Sequence, residues 1–173
     1  MHLRAATCLA ALFIAACASV PAPAPLPRLA AAPADFEVSG RIAVRQGDRS
    51  DIAKLRWTRK GLHDSWIIAS PLGNEVARLE SGADGATLVR VGAPSESAES
   101  FRALTERVLG VPLDPDEMAG WLHGVPASGA GDWKVSVDQI QRAGNVDLAK
   151  RITATRGDMV VRLIVDEYRV LGE

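Results

Sequence analysis

After residue 35 the chain is dominated by short stretches in which apolar and polar residues alternate, and this period of two predicts β-strands. The segment 36–45 has apolar side chains at every second position, and 53–58 places Ala53, Leu55 and Trp57 on one face. Gly40 is expected to mark a bend or bulge in the first strand. Further strand patterns follow at 66–69, 75–80, 87–91, 133–141, 152–156 and 159–170. The connections between the first five are short, so they favour an antiparallel meander.

Two helices are predicted in the middle of the chain. The first spans Ser95–Leu109, where apolar residues from Phe101 onward recur at helical spacing and Gly110 is placed to end the helix. The second follows Asp114, a capping residue next to Pro115, and ends at Gly124. One antiparallel sheet with helices inserted mid-chain is an α+β fold.

The first 35 residues have a different character. Residues 1–16 combine a basic head with an uncharged run that is too short to cross a bilayer of ~30 Å, which is typical of an export signal. Small residues then lead into Cys17, and this junction resembles the lipobox of bacterial lipoproteins. On that resemblance Cys17 carries the lipid and becomes the mature N-terminus, and Ala18 after it implies sorting to the outer membrane. A soluble export product cut after Ala16-Cys17-Ala18 is the alternative.

The remaining organisation is simple. Residues 17–35 hold half of the prolines and form a Pro/Ala-rich tether, which in an extended form would span roughly 50 Å. Residues 36–173 are long enough for one domain with its own core.

Cys8 leaves with the signal, so Cys17 has no intramolecular disulfide partner. The 20 basic and 21 acidic residues balance, which disfavours nucleic-acid binding.

Catalytic motifs are missing from the sequence, which contains no H-E-x-x-H, C-x-x-C, G-x-S-x-G or phosphate-binding glycine loop. His63-Asp64-Ser65 has the residue types of a catalytic triad, but contiguous residues cannot converge as a triad does, and a solvated turn is expected instead. The acidic residues Asp114, Asp116 and Glu117 are explained by capping at a helix start. We therefore predict no enzyme, no metal and no cofactor.

Several motifs together resemble the LolB family of outer-membrane lipoprotein receptors. They are Phe36-x-x-x-Gly40-Arg41-Ile42-Ala43-Val44, Trp57, Ser70-Pro71-Leu72-Gly73, Trp121-Leu122-x-Gly124-x-Pro126 and the arginine-rich hairpin from Arg151-Ile152 to Arg162-Leu163. The resemblance spans residues 36–170. It implies an antiparallel half β-barrel covered by short helices, which encloses an apolar cavity for lipoprotein acyl chains.

The resemblance also implies the function and the partners. A LolA-like periplasmic carrier would deliver triacylated lipoproteins, and a monomeric, lipid-anchored receptor facing the periplasm would insert them into the outer membrane. Leu72 would assist insertion, because family members carry an exposed apolar residue on this loop. From the residues alone, Pro71 and Gly73 predict a type I turn that either exposes Leu72 or folds it into the core.

Seven apolar residues are candidates for lining the acyl cavity, and for each of them ordinary core packing is the competing interpretation. They are Trp57, Trp66, Phe101, Met118, Trp121, Leu122 and Trp133. Two other functions stay open: a structural lipoprotein that stabilises an outer-membrane assembly, for which a filled core is expected, and an exported hydrolase of lipid or cell wall.

Overall fold

The structure is a computed structural model that describes residues 33–124 and 132–172. The described residues contain nine strands and two helices, as follows: β1 (Asp35–Gln46), β2 (Arg49–Lys60), β3 (His63–Ala69), β4 (Glu75–Gly82), β5 (Gly85–Arg90), β6 (Glu96–Ala98), α1 (Phe101–Leu109), α2 (Pro115–His123), β7 (Lys134–Ala143), β8 (Val146–Arg156) and β9 (Met159–Val170). The predicted α+β class is confirmed.

All the strands belong to one antiparallel sheet in the order β6-β5-β4-β3-β2-β1-β9-β8-β7. The sheet stays open, with β6 at one edge and β7 at the other, and the last strand returns to pair with the first. Both helices lie against the sheet, α1 on β4, β5 and β6 and α2 on β8. An open antiparallel sheet covered by short helices is a half-barrel, as the sequence resemblance implied.

The alternation in the sequence sorts side chains between the two faces of the sheet. On β1 the residues Phe36, Val38, Ile42 and Val44 are buried, whereas the intervening positions are half-buried or exposed. We call the buried side, which the helices cover, the inner face, and the side with the intervening positions the outer face. The predicted pattern of one wet face is confirmed.

Gly40 lies at a register shift between β1 and β9, so the predicted bulge is confirmed. A Cβ atom at this position would collide with the backbone carbonyl oxygen of Ile164. Glycine is therefore needed here because β9 approaches the backbone of β1 too closely for any side chain.

The first helix is shorter than predicted, since it begins at Phe101 rather than at Ser95. Ser100 is the N-cap, and its side chain accepts a hydrogen bond from the Ala103 N–H at 3.1 Å. The preceding residues form β6, which pairs with β5 through Ala86 and Ala98. Ala98 packs against the core from this strand, so these residues are held by pairing with β5 and not by helix packing.

The second helix matches the prediction. The Asp114 carboxylate accepts hydrogen bonds from the N–H groups of Asp116 and Glu117, at 2.9 and 3.3 Å. Gly124 ends the helix in the left-handed conformation at φ 67°, as Gly110 ends α1 at φ 72°. Ser100 and Asp114 thus cap the starts of the two helices, and Gly110 and Gly124 end them.

Candidate functional site

Every predicted cavity residue is buried in the apolar core beside the inner face of the sheet. Trp57 and Trp66 come from β2 and β3, Phe101 from the start of α1, and three further candidates from α2. All seven are buried in one apolar cluster: Trp57, Trp66, Phe101, Met118, Trp121, Leu122 and Trp133. In this closed arrangement they pack against one another and against the sheet.

The aromatic candidates form two groups. In the first, Phe101 meets Trp66 with ring centroids 4.8 Å apart, Trp66 meets Trp57 at 5.7 Å, and Trp57 meets Phe36 at 5.0 Å. In the second, Trp121 meets Trp133 at 5.5 Å, and the Arg156 guanidinium lies 4.8 Å from the Trp133 ring centre. Mostly tilted and edge-to-face contacts of this kind are favourable packing geometries.

Two indole N–H groups in this core have no hydrogen-bond acceptor among the described residues. They belong to Trp66, which is fully buried, and to Trp133. A buried donor without an acceptor costs about 1–3 kcal/mol. The inner face therefore offers two donors to any acceptor that enters the core.

A polar network on the inner face joins the sheet to α2. The Trp57 indole N–H donates to the Asp64 carboxylate at 2.6 Å, and Arg59 donates to the other carboxylate oxygen at 3.1 Å. Arg59 also donates to Asp116 in the first turn of α2. Burial raises the pKa of Asp64, and its bonds to Trp57 and Arg59 act in the opposite direction.

This network corrects two sequence interpretations. His63-Asp64-Ser65 is not a solvated turn, because it begins β3 and the Asp64 carboxylate is buried. Asp116 follows the capping residue Asp114, and it also accepts a hydrogen bond from Arg59, which lies 57 positions earlier in the sequence. A pairing between residues so distant has no signal in the local pattern.

Two further contacts hold the helices to each other. Arg102 on α1 donates to the Glu117 carboxylate on α2 at 2.8 Å. The Thr105 hydroxyl accepts from the Leu113 N–H at 2.8 Å, just before α2 begins. The helix pair therefore covers the inner face as one linked unit.

His123 ends α2 inside the core and is fully buried. Its Nδ1 lies 2.9 Å from the Ala119 carbonyl oxygen, which can only accept, so Nδ1 carries the proton. Its Nε2 lies 2.9 Å from the Tyr168 hydroxyl on β9, which donates to it when the imidazole is neutral. Burial, opposed by the Ala119 carbonyl and reinforced by the Arg59 charge, lowers the pKa of His123. Burial raises the pKa of Tyr168 to about 12.

The Leu72 side chain is 90% exposed, so of the two orientations the turn allowed, the structure has the outward one. The turn is closed by the Gly73 N–H, which donates to the Ser70 carbonyl at 2.8 Å. No described residue other than glycine has a positive φ, so Leu72 has the negative φ that a type I turn requires at this position. The loop therefore presents a large aliphatic side chain to solvent.

On the outer face, beside this loop, the sheet has a groove of about 670 Å³, and half of its lining residues are charged. Its lining includes Arg41, Lys54, Arg56, Glu75, Asp166 and Glu167. Among the described residues there is neither a helix able to span a membrane nor a cluster of side chains suited to a metal ion.

Cys17, residues 18–32 of the predicted tether and Pro126 lie outside the described residues, whereas Asp35, the last residue of the predicted tether, begins β1. Lipid attachment at Cys17 therefore stays a prediction from the sequence, as does any role of Pro126 in the Trp121-Leu122-x-Gly124-x-Pro126 motif.

Comparison with known proteins gives one consistent family. The family model described as "Outer membrane lipoprotein LolB" matches residues 34–168. The outer-membrane lipoprotein LolB of Azoarcus sp. is 29% identical over 185 residues, covering 98% of this chain and 96% of its own. That of Chromobacterium violaceum is 30% identical over 172 residues, covering 92% and 94%. Among solved structures, a LolA superfamily protein from Nitrosomonas europaea aligns with a TM-score of 0.43 at 10% identity, over 80% of this chain and 87% of that one.

The buried His123 predicts a pH-dependent stability. The unfolded chain has the ordinary pKa of about 6.5, and the folded value is lower, so below about pH 6.5 the unfolded state binds more protons. The free energy of unfolding should therefore fall as the pH drops from 7.5 towards 5, with a slope from this group of at most about 1.4 kcal/mol per pH unit.

Urea unfolding at several pH values measures this slope in the natural chain and in His123→Gln. The variant should lose the dependence between pH 7.5 and 5.5, while His63→Gln, at an exposed histidine, should retain it. The raised pKa of Asp64 favours the folded state as the pH falls, which is opposite to the effect of His123. Asp64 is present in all three proteins, so its contribution cancels when their slopes are compared. An identical slope in His123→Gln would contradict the assignment of a buried neutral imidazole.

Proposed function

The chain belongs to the LolB family of outer-membrane lipoproteins, and from this premise we propose that it is an outer-membrane receptor for other lipoproteins. It accepts them from a LolA-like periplasmic carrier, holds their acyl chains against the inner face of the sheet and releases them into the outer membrane. This activity is binding and transfer, and it makes or breaks no bond in the cargo.

The observation that carries the proposal is the family match over residues 34–168, which is nearly the whole described domain. The physical need for such a protein is large. One C16 acyl chain exposed to water costs on the order of 12 kcal/mol at ~0.8 kcal/mol per CH₂, so a triacylated protein cannot cross an aqueous compartment unassisted.

The inner face supports acyl binding because most of the side chains buried there are apolar. Trp57 and Trp66 on the sheet and Met118 and Leu122 on α2 belong to the same apolar cluster. Acyl chains would take the place of the helices on the sheet, so binding requires the helices to move away from it. The indole N–H of Trp66 could then donate to an ester carbonyl of the acyl chain.

The helices are suited to such a movement. Each has only nine residues, and isolated helices of that length are unstable in water without tertiary contacts. The polar contacts that hold α2, from Arg59 to Asp116 and from His123 to Tyr168, are few and can be exchanged for water. Opening therefore breaks a small number of directional contacts and exposes apolar surface that the acyl chains cover.

Two further parts of the proposal concern the membrane. Cys17 carries the lipid anchor that holds the protein to the outer membrane, and the Pro/Ala-rich tether lets the domain stand off from it. Leu72 assists insertion of the cargo, which is supported by its exposure at the tip of the β3–β4 loop. Exposed aliphatic side chains at a turn are unusual, since turn tips are normally polar.

A second candidate is a structural lipoprotein that stabilises an outer-membrane assembly. The packed state of the seven candidate residues favours it, because a purely structural domain needs no space for acyl chains. The two functions differ in whether the core ever opens to admit cargo.

The deciding experiment is a transfer assay. The soluble chain Ala18–Glu173 is mixed with a carrier loaded with a triacylated lipoprotein, and the two proteins are separated by affinity pull-down. We expect the cargo to move to this protein without added nucleotide, since the transfer follows increasing affinity for the acyl chains. Cargo that stays on the carrier while the domain is folded would favour the structural lipoprotein, and a requirement for ATP would contradict passive transfer.

The same assay can locate the acyl site, because this soluble chain has only two methionines, Met118 and Met159. With photoactivatable methionine incorporated, light should crosslink the cargo lipid through Met118, which is buried on α2. The variant Met159→Leu should keep the crosslink and Met118→Leu should lose it. The reverse result would place the acyl chains away from α2.

Leu72→Glu tests the membrane step. The exposed side chain makes little contribution to folding, so the variant should keep its unfolding temperature and still accept cargo from the carrier. A charge at the tip should abolish insertion of the bound cargo into liposomes, measured by flotation. Leu62→Glu, at the similarly exposed position 62 in the β2–β3 turn, is the matched control and should insert normally. Unaltered insertion by Leu72→Glu would remove Leu72 from the mechanism.

A further inference from the structure

Leu72 is not isolated on the surface, since further exposed aliphatic side chains lie at the same end of the sheet. Val91, directly after β5, is 79% exposed, and Val76 near the start of β4 is 44% exposed. We call Leu72, Val76 and Val91 the tip patch. Exposed apolar residues grouped together indicate an interaction surface more strongly than scattered ones do.

Strand register places these residues side by side. Ala77 on β4 pairs with Arg90 on β5, so Val76 and Val91 each lie one residue beyond that pair, towards the Leu72 loop. Ala77 packs on the core, and side chains alternate between the faces of a strand, so Val76 lies on the outer face. Val91 lies in the turn directly after β5, next to Arg90, and its side chain is exposed.

Basic side chains border the tip patch. The Lys54 ammonium lies 4.0 Å from the position that a Cβ atom on Gly73 would take, directly beside the Leu72 loop. Arg78 follows Val76 by two positions on the same strand and pairs with Glu75 at 3.1 Å. Lys54 has no ion-pair partner among the described residues. The loop is therefore flanked by a cation that is free to meet an anionic group.

The shape and composition of the tip patch favour a bilayer over a protein partner. The patch consists of aliphatic side chains on a protruding turn and a strand end, and it contains none of the Trp, Tyr or Arg anchors that dominate protein interfaces. Aliphatic side chains that project among basic ones can enter the acyl region while the cations remain at the level of the lipid phosphates.

We propose that the tip patch, Leu72 together with Val76 and Val91, is a membrane-contacting surface, and that Lys54 binds lipid phosphate beside it. This inference rests on the proposed function, in which Leu72 meets the bilayer, and extends the contact from one residue to the end of the β3–β4–β5 segment. Several shallow contacts fix the orientation of the domain on the bilayer, whereas a single inserted side chain leaves it free to tilt.

The test uses the unlipidated mature chain in which Cys17→Ser leaves no cysteine, because Cys8 lies in the predicted signal segment. Single cysteines are introduced by Leu72→Cys, Val76→Cys, Val91→Cys and Leu62→Cys and labelled with an environment-sensitive fluorophore. Mixed vesicles of phosphatidylethanolamine and phosphatidylglycerol are then added. We expect a blue-shifted, brighter emission at positions 72, 76 and 91 and no change at position 62, which lies at the opposite end of the strands.

A second measurement gives the affinity for the same vesicles by co-sedimentation. Val76→Asp combined with Val91→Asp should weaken binding about tenfold, since two apolar side chains that enter the acyl region are replaced by charged ones. Lys54→Gln should weaken it about fivefold, as expected for one basic residue at an anionic surface. Circular dichroism confirms that each variant is folded, which these exposed positions should permit.

The outcomes separate this inference from the proposed function. A spectral change at position 72 alone would overturn the extended surface and leave the role of Leu72 intact. No change at any position, including 72, would contradict both. A change at positions 76 and 91 that requires a carrier protein instead of vesicles would make the patch a protein-docking site and overturn the inference.

Discussion

The structure depends on covering the inner face of an open sheet. The antiparallel order ends in two edges and does not close, so the apolar side chains of the inner face must be buried by something other than the sheet itself. Two nine-residue helices provide the cover. Their own propensity cannot hold them, so apolar packing and a few polar contacts decide where they lie. The same dependence makes the cover the part of the fold that acyl chains would displace in the proposed function.

The network around Arg59 illustrates how the cover is positioned. A buried ion pair adds little net stability, because desolvation of both charges offsets their attraction. Its geometry is nevertheless specific: Trp57 and Arg59 hold Asp64 on the sheet, and Arg59 reaches Asp116 at the start of α2. The network thus fixes the beginning of the helix, and His123 and Tyr168 fix its end. Directional contacts at both ends define one closed position, while the apolar contacts between them tolerate other partners.

Local patterns predicted the features that local physics determines. The β-alternation and the caps at Asp114 and Gly124 follow from residues within a few positions of each other. The bulge at Gly40 was predicted from the glycine alone, whereas its cause is the close approach of β9. The short strand β6 and the buried Asp64 were missed because they depend on partners elsewhere in the fold, β5 for one and Trp57 with Arg59 for the other. The exposure of Leu72 falls between these cases, since Pro71 and Gly73 predict the turn and only the surrounding sheet determines that its tip faces solvent.

The geometry of the domain places a requirement on its connection to the membrane. β3 ends at Ala69, which pairs with Lys54 on β2, and Lys54 pairs in turn with Arg41 on β1. The Leu72 loop therefore lies six residues along β1 from Asp35, where that strand begins. At ~3.3 Å per residue this is about 20 Å, to which the loop itself adds. A lipid attached close to Asp35 would hold the tip away from the bilayer. The Pro/Ala-rich segment 17–35, if extended at ~3.1 Å per residue, exceeds this distance about twofold. Its length would therefore allow the proposed anchor at Cys17 and the Leu72 loop to reach the same leaflet, as the proposed delivery of cargo into the outer membrane requires.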